Sequence, residues 1–525
     1  MSRLACVVFL LAMLVSCSKD PEAMDGEVAS TEFESLSHGM IVLGEKLENP
    51  YTTENIREAF ANVYPTKSRD EITTSHYYLR FLPAGEGDIE LMEALGAELI
   101  DHPVDYKIVV DGDYYHDPSV PEDKITWQYA VIPKDFDIPS CIDYELIDEC
   151  HISEFSPGIR SADGIDWEAV EREAFRITGN EDMLQPHSKA SKVNPSGRIM
   201  IVDEDANGGK PFGVSGVKVM CNTFVKFSSA YTDRDGYYTI PKKFSAKLRY
   251  RLMFKNEKDF AIGFNLILLP ASRSTLGKAS AEGINVTITK NSDRKLFLRS
   301  VVNNAVYDYI SRCSEDDLNL TLPPKDLRIW LFGGLEASSA VMIHHKAVVT
   351  HRYLDKFLGP FSSILAFFAP DITIGTKNMH SYKDVYRSVT HELAHSSHFA
   401  QVGTEYWNNY IEYILKSYFK SGGMTYGSGD VEYAGHCEVG EMWAYYLSSK
   451  MYQDRYGGPF PQFGTGYWFN PQIFRYLDDR GFAPSDFLSA LKSRVTDTSL
   501  LRQSLVELYP SRRNIIEQVF SRYEK

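Results

Sequence analysis

The sequence predicts a multidomain α+β protein, and three observations carry this. The chain has 525 residues, enough for about three domains of ordinary size. A middle stretch, 196–264, alternates short apolar runs with turns at Asn207-Gly208-Gly209 and Asp235-Gly236, the pattern of packed strands. The region from 381 onwards is dominated by apolar residues at helical spacing. The net charge of −16 argues against nucleic-acid binding, because a phosphate backbone needs a basic face.

The N-terminus reads as a targeting segment. Arg3 precedes a short apolar run, 4–15, too short to span a membrane comfortably. The run ends Leu14-Val15-Ser16-Cys17, which resembles a bacterial lipobox. That resemblance implies a signal peptide over 1–17, lipidation of Cys17, and anchoring to a membrane of the bacterial cell envelope. Outer-membrane, surface-exposed placement is the expectation. Residues 18–37 are polar and acidic without apolar period, and read as a tether.

Residues 38–195 read as a small α/β domain. A helix is expected over 54–64, capped by Thr52 or Thr53, with an apolar stripe at Ile56, Ala59, Phe60 and Val63. Strands are expected over 76–82 and 126–132, with a helix over 88–96 between them. Cys141 and Cys150 are close enough in sequence to bridge a local loop in an oxidising compartment. Cys221, Cys313 and Cys437 read as buried apolar residues. His102 and His116 stand in acidic, solvated loops on this reading.

Residues 196–275 read as a β-sandwich. Gly197-Arg198-Ile199, the run 213–219 and Thr232-Asp233 followed by Asp235-Gly236-Tyr237-Tyr238 resemble the carboxypeptidase regulatory-like domain. The resemblance implies a prealbumin-like sandwich with an accessory role. Asp203, Glu204 and Asp205 lack the spacing of a calcium loop and read as a solvated turn.

Residues 276–525 complete the chain. A helix is expected over 296–311 and a buried strand over Leu327–Phe332. The apolar run 361–368 reads as a core helix. A strand within 369–375 leads into a long helix over 381–401, and the remainder from 452 reads as mainly helical, broken at Pro484 and Pro510.

The long helix carries His391-Glu392-Leu393-Ala394-His395. Residues four apart on a helix share a face, so His391 and His395 can offer two imidazole nitrogens to one ion. Zinc takes neutral histidine nitrogen and favours four-coordinate sites. Glu392 then stands beside the face, placed to take a proton from an attacking water. A third ligand is needed. His398 and Gln401 do not fit the metzincin pattern, and His398 shares one straight stripe with His391 and His395. Glu441 opens an E-x-x-A on a later helix, where small Ala444 permits close helix approach. This resembles the third-ligand helix of the gluzincins, with Glu438 as the alternative ligand or a partner to a ligating imidazole. The resemblance implies a zincin-like mixed α/β catalytic domain with Zn2+ held by His391, His395 and Glu441. Tyr433 and His436, preceding the ligand helix, are candidate oxyanion donors; Tyr426 and Tyr445 are also available among 32 tyrosines. In the zincin class a strand before the motif helix often edges the cleft, which would make Ile372, Thr373, Ile374 and Gly375 the substrate-binding strand.

The expected function is zinc-dependent hydrolysis of peptide bonds in extracytoplasmic proteins or glycoproteins. The alternative is a surface-binding, adhesive or glycan-handling lipoprotein whose zinc site is structural or inactive. An inhibitory N-terminal prodomain, removed by self-cleavage, is a third reading.

Overall fold

The computed structural model describes residues 39–523 apart from 71, 123, 154–163, 185–192, 265–267, 317, 348–368, 423, 425, 462 and 464–466. The expected signal peptide, tether and Cys17, and the apolar run 361–368, lie outside the described residues. The architecture is α+β.

The chain opens with β1 (Val42–Lys46), α1 (Thr53–Val63), β2 (His76–Phe81), α2 (Glu86–Ala94), β3 (Leu99–Ile100), β4 (Tyr106–Val110), β5 (Gln128–Pro133), β6 (Tyr144–Cys150) and α3 (Trp167–Ile177). Thr52 caps α1 by accepting from the Asn55 N–H at 3.1 Å. The helix then buries Ile56, Ala59 and Phe60 against Val170 and Ala174 of α3. β3, β5, β2 and β6 form an antiparallel sheet in that order, with Leu79, Phe81, Ala130 and Ile132 in its core.

Two local expectations fail here because distant residues supply what nearby ones do not. Cys141 and Cys150 are both free; Cys141 is exposed, whereas Cys150 ends β6 inside an apolar core beside Tyr51 and Tyr78. His102 is not solvated but buried: its Nδ1 lies 3.0 Å from Asp101, and both ring nitrogens face Arg251. His116 is half-buried, with Nε2 2.9 Å from the Val120 carbonyl. Burial, reinforced by Arg251 and Arg273 against the pull of Asp101, lowers the His102 pKa to about 4. In the unfolded chain it titrates near 6.5. Between those values the unfolded state binds the proton and the folded state does not, so stability falls as pH drops from about 6.5 towards 4. His102 alone should contribute a loss on the order of 3 kcal/mol across that window. Melting temperatures measured from pH 7 to 4 should therefore fall less steeply for His102→Gln than for wild type; equal slopes would refute the assignment.

The middle of the chain holds β7 (Ser196–Ile201), β8 (Phe212–Gly213), β9 (Val217–Thr223), β10 (Lys226–Tyr231), β11 (Tyr237–Thr239), β12 (Leu248–Asn256), β13 (Phe260–Phe264), β14 (Arg273–Ala279) and β15 (Val286–Ile288). β7 is flanked by β11 and β15 and also pairs with β8. Its Ile199 and Ile201 share one apolar core with Val219 and Cys221 of β9 and Leu252 and Phe254 of β12. Gly236, at φ +83°, makes the turn before β11, and a Cβ there would meet the Ile199 carbonyl at 2.1 Å.

The last region holds α4 (Arg294–Ser311), β16 (Leu327–Phe332), β17 (Ser339–Ala340), β18 (Ile372–Gly375), α5 (Tyr382–Val402), α6 (Thr404–Ser421), α7 (Ala434–Tyr456), α8 (Gln472–Asp478), α9 (Pro484–Ala490), α10 (Thr498–Leu508) and α11 (Arg513–Phe520). β13 pairs in parallel with β16, Phe260 opposite Leu327 and Phe264 opposite Leu331. One sheet therefore runs β10-β9-β12-β13-β16-β18-β17, with β14 also on β12. The expected division at 275/276 falls inside β14, and the sheet crosses it without a break. The core is likewise continuous, from Ile199 to Phe520.

The N-terminal region docks on this sheet and on α4 through ion pairs and through an apolar cluster that joins Tyr51 and Phe175 to Phe224 and Val225. Arg328 pairs with Glu86 and Glu90, Lys255 with Glu93, Arg299 with Asp113, and Arg273 with Asp101. Asp203, expected in a solvated turn, is also buried: it accepts from Arg455 at 2.9 Å and Tyr456 at 3.0 Å, both at the end of α7.

Candidate metal centre

The centre is built on α5, α6 and α7. α5 starts at a capping box: the Ser381 hydroxyl accepts from the Asp384 N–H, and the Asp384 carboxylate accepts from the Ser381 N–H at 3.1 Å. It stops at Gly403, whose φ of 82° turns the chain into α6. Val385, Tyr386, Val389 and Leu393 are buried, so α5 is a core helix and its polar residues enter the interior with it. α7 crosses α5, and the Trp443 indole donates to the Ala394 carbonyl at 3.0 Å, fixing the two helices in register. Ala444 is fully buried at this contact, as a small residue one turn beyond Glu441 should be.

His391, His395 and Glu441 are brought together: one ligand atom from each lies within 4.8 Å of the others. His391 Nε2 and His395 Nε2 are each 3.4 Å from a different Glu441 oxygen. That spacing is long for a hydrogen bond. A tetrahedral ion about 2.1 Å from each donor would set those donors roughly 3.4 Å apart. The buried His391 Nε2 and His395 Nε2 have no hydrogen-bond partner among the described residues. Buried polar atoms left without partners are costly, and a metal would satisfy them. The donor set, two imidazoles and a carboxylate, fits that group.

Protonation agrees with this. Burial, with His395 nearby and Glu441 opposing, lowers the His391 pKa to about 4, so the imidazole is neutral at pH 7. Burial opposes ionisation of Glu441, but His395 and His391 outweigh it and hold its carboxyl below the ordinary range. Neutral imidazole and ionised carboxylate are the forms that bind metals. Glu392 differs. Burial and the adjacent Glu441 carboxylate raise its pKa well above the ordinary value. The backbone of Ala340 in β17 opposes that rise.

Tyr410 of α6 donates to Glu441 Oε1 at 2.6 Å, and its ring lies 5.6 Å from that of His395. The sequence does not single it out among so many tyrosines; only the return of α6 along α5 brings it there. Tyr410→Phe should weaken zinc binding by about tenfold to a hundredfold without unfolding the chain. Competition against a calibrated chelator measures this, and unchanged affinity would exclude an orienting role.

The other expected residues are placed differently. Glu438 accepts from the Thr498 N–H at 3.1 Å, at the start of α10, which assigns it to a helix terminus. His398 is fully buried between Tyr406 and Trp407, and neither ring nitrogen has a hydrogen-bond partner among the described residues. Tyr433 sits at the N-terminus of α7 with φ 67°, and His436 packs on Tyr406 at 4.5 Å and Tyr433 at 5.6 Å. These contacts bring neither Tyr433 nor His436 against His391. The phenol that does lie there is Tyr445, its ring 4.7 Å from the His391 ring and its hydroxyl linked to those of Tyr426 and Tyr467. The expectation for Ile372–Gly375 is also corrected. β18 pairs in parallel with β16 along all four residues and antiparallel with β17 at Ile372 and Thr373, and all four residues are buried. Among the described residues the strand that ends the sheet on this side is β17, where Ser339 opposes Thr373 and Ala340 opposes Ile372.

Comparisons with family models, with curated proteins and with solved structures found no match to this chain.

Proposed function

We propose that the chain is a zinc-dependent peptidase of gluzincin type. The observation that carries this is the convergence of His391, His395 and Glu441 with a fourth buried group, Glu392, whose oxygens have no hydrogen-bond partner among the described residues. A zinc ion held by the three ligands would supply a Lewis acid and lower the pKa of water. Glu392, adjacent in sequence to a ligand, accepts the proton of the attacking water and passes it to the leaving nitrogen. Tyr445 replaces Tyr433 and His436 as the group to donate to the developing oxyanion. Tyr410 holds Glu441. The peptide's backbone would pair along β17 rather than β18.

The finer architecture belongs to the same proposal: a prealbumin-like sandwich formed around β7 and β12, a zincin-like region after it, and a lipid anchor at Cys17. Full burial of His395, Glu392 and Glu441 favours a second reading, a structural metal in a surface-binding protein. Glu392 weighs against it, since a structural site has no use for an extra carboxyl.

Zinc content and cleavage of a fluorogenic peptide library decide between them. One zinc per chain with cleavage, loss of both in His391→Ala, and a kcat reduced more than KM is altered in Tyr445→Phe are the expected results. Zinc without any cleavage would favour the structural reading, and no zinc at all would sink both.

A further inference from the structure

A second candidate site lies where the N-terminal region meets the sheet, apart from the metal centre. There the two enclose a cavity of about 270 Å³, just below the range of about 300–1,000 Å³ usual for small-molecule sites. Thr223 at the end of β9, Arg249 of β12 and Lys278 of β14 line the sheet side, and Glu45 and Asp182 line the other.

The charge arrangement is unusual for a merely structural junction. Arg249 and Lys278 stand directly opposite each other on antiparallel strands. Like charges in that position repel. Arg249 is paired with Asp111 at 2.6 Å, whereas Lys278 makes no ion pair among the described residues. Behind them Arg251 and Arg273 share one carboxylate, that of Asp101, at 4.0 and 3.0 Å. Arg249, Lys278, Arg251 and Arg273 thus stand near Asp101 and Asp111, with Glu45, Lys107 and Asp182 at the cavity wall and His102 neutral. Burial, with Arg249 and Arg273 alongside, pushes the Arg251 pKa down to about 10 in spite of Asp101. Lys278 is exposed, but partial loss of solvent around its ammonium, with Arg249, outweighs Asp182 and Asp111 and lowers its pKa. In both, loss of solvent is the larger cause and the neighbouring guanidinium groups add to it.

A second observation is independent of charge. Thr223 is only 2 % exposed, lines the cavity, and its hydroxyl has no hydrogen-bond partner among the described residues. A buried hydroxyl without a partner calls for an explanation, and a ligand in the adjoining cavity supplies one.

We propose that this cavity binds a small ligand bearing a carboxylate, recognised by Lys278, Arg249 and the Thr223 hydroxyl. The carboxylate accepts charge-assisted hydrogen bonds from the two cations. Glu45 and Asp182 offer acceptors to hydroxyl or amide donors on the rest of the ligand. A sugar acid and the C-terminus of a short peptide share this chemistry, and the cavity limits either to about one residue.

Calorimetric titration of the full chain tests this with D-glucuronate and N-acetyl-L-alanine, each set against its neutral counterpart, glucose and N-acetyl-L-alaninamide. The expected result is saturable one-to-one binding of one acid and none of its counterpart, which also identifies the source. Lys278 is exposed and Thr223→Val keeps the shape of the side chain, so Lys278→Gln and Thr223→Val should both fold with unchanged melting temperature. Each should weaken binding by about tenfold or more. If neither acid saturates, if a neutral counterpart binds as well as its acid, or if both variants bind as tightly as wild type, the proposal is wrong. None of these residues belongs to the metal centre, so the outcome is independent of the peptidase reading.

Discussion

Glu392→Gln should lower peptide turnover by between about a hundredfold and ten-thousandfold while one zinc per chain is retained. The substitution keeps the shape of the side chain and removes only its ability to take and deliver a proton. Glu392 is not among the three convergent ligands, so metal content should not change. Its carboxyl is buried and raised in pKa by that burial and by Glu441. Two measurements on one preparation, elemental zinc and kcat, are enough. Turnover within threefold of wild type would remove Glu392 from the proposed mechanism. Loss of zinc together with turnover would make it a ligand instead.

Asp101→Ala should destabilise the protein by about 3–5 kcal/mol, without reference to any metal. Asp101 is fully buried and faces Arg273 at 3.0 Å, Arg251 at 4.0 Å and the His102 ring at 3.0 Å, while also accepting from the Tyr115 N–H. Removing it leaves two buried guanidinium groups with no carboxylate between them. The cost arises from the stranded cations more than from the lost pair. Urea unfolding followed by tryptophan fluorescence measures the change, and a shift below 1 kcal/mol would show that water reaches the cluster. Replacing Asp143, which is exposed, provides the control and should leave the midpoint unchanged.

These two residues mark the limits of what the sequence discloses. Glu392 and its histidine neighbours are legible because their relation is local: one helical turn sets it, and the apolar face of the same helix buries it. Glu441 is legible because its helix and its small neighbour Ala444 leave a pattern, although the 50 positions from His391 to Glu441 carry no information about distance in space. Asp101 and His102 look like an acidic loop because their partners, Arg251 and Arg273, lie more than a hundred residues away, on β12 and β14. Asp203 is misread for the same reason, its partner Arg455 being 252 residues distant. Polar residues disclose burial only through the partner that permits it. The misplaced sheet edge has another cause: β17 is two residues long, too short for any periodicity, and those two residues take the position expected for β18.

The join between β13 and β16 has a consequence for how this molecule can change. Accessory sandwiches that hang from a linker can be shuffled between proteins as cassettes. Here the hydrogen bonds of one sheet stitch the middle of the chain to the strands beneath the metal-bearing helices. Severing it would bare two raw strand edges, each a template for pairing with other chains. The middle strands and the helices after them are therefore inherited, lost or engineered as one piece. A fragment beginning at 276 would lack half of the sheet that supports its own centre.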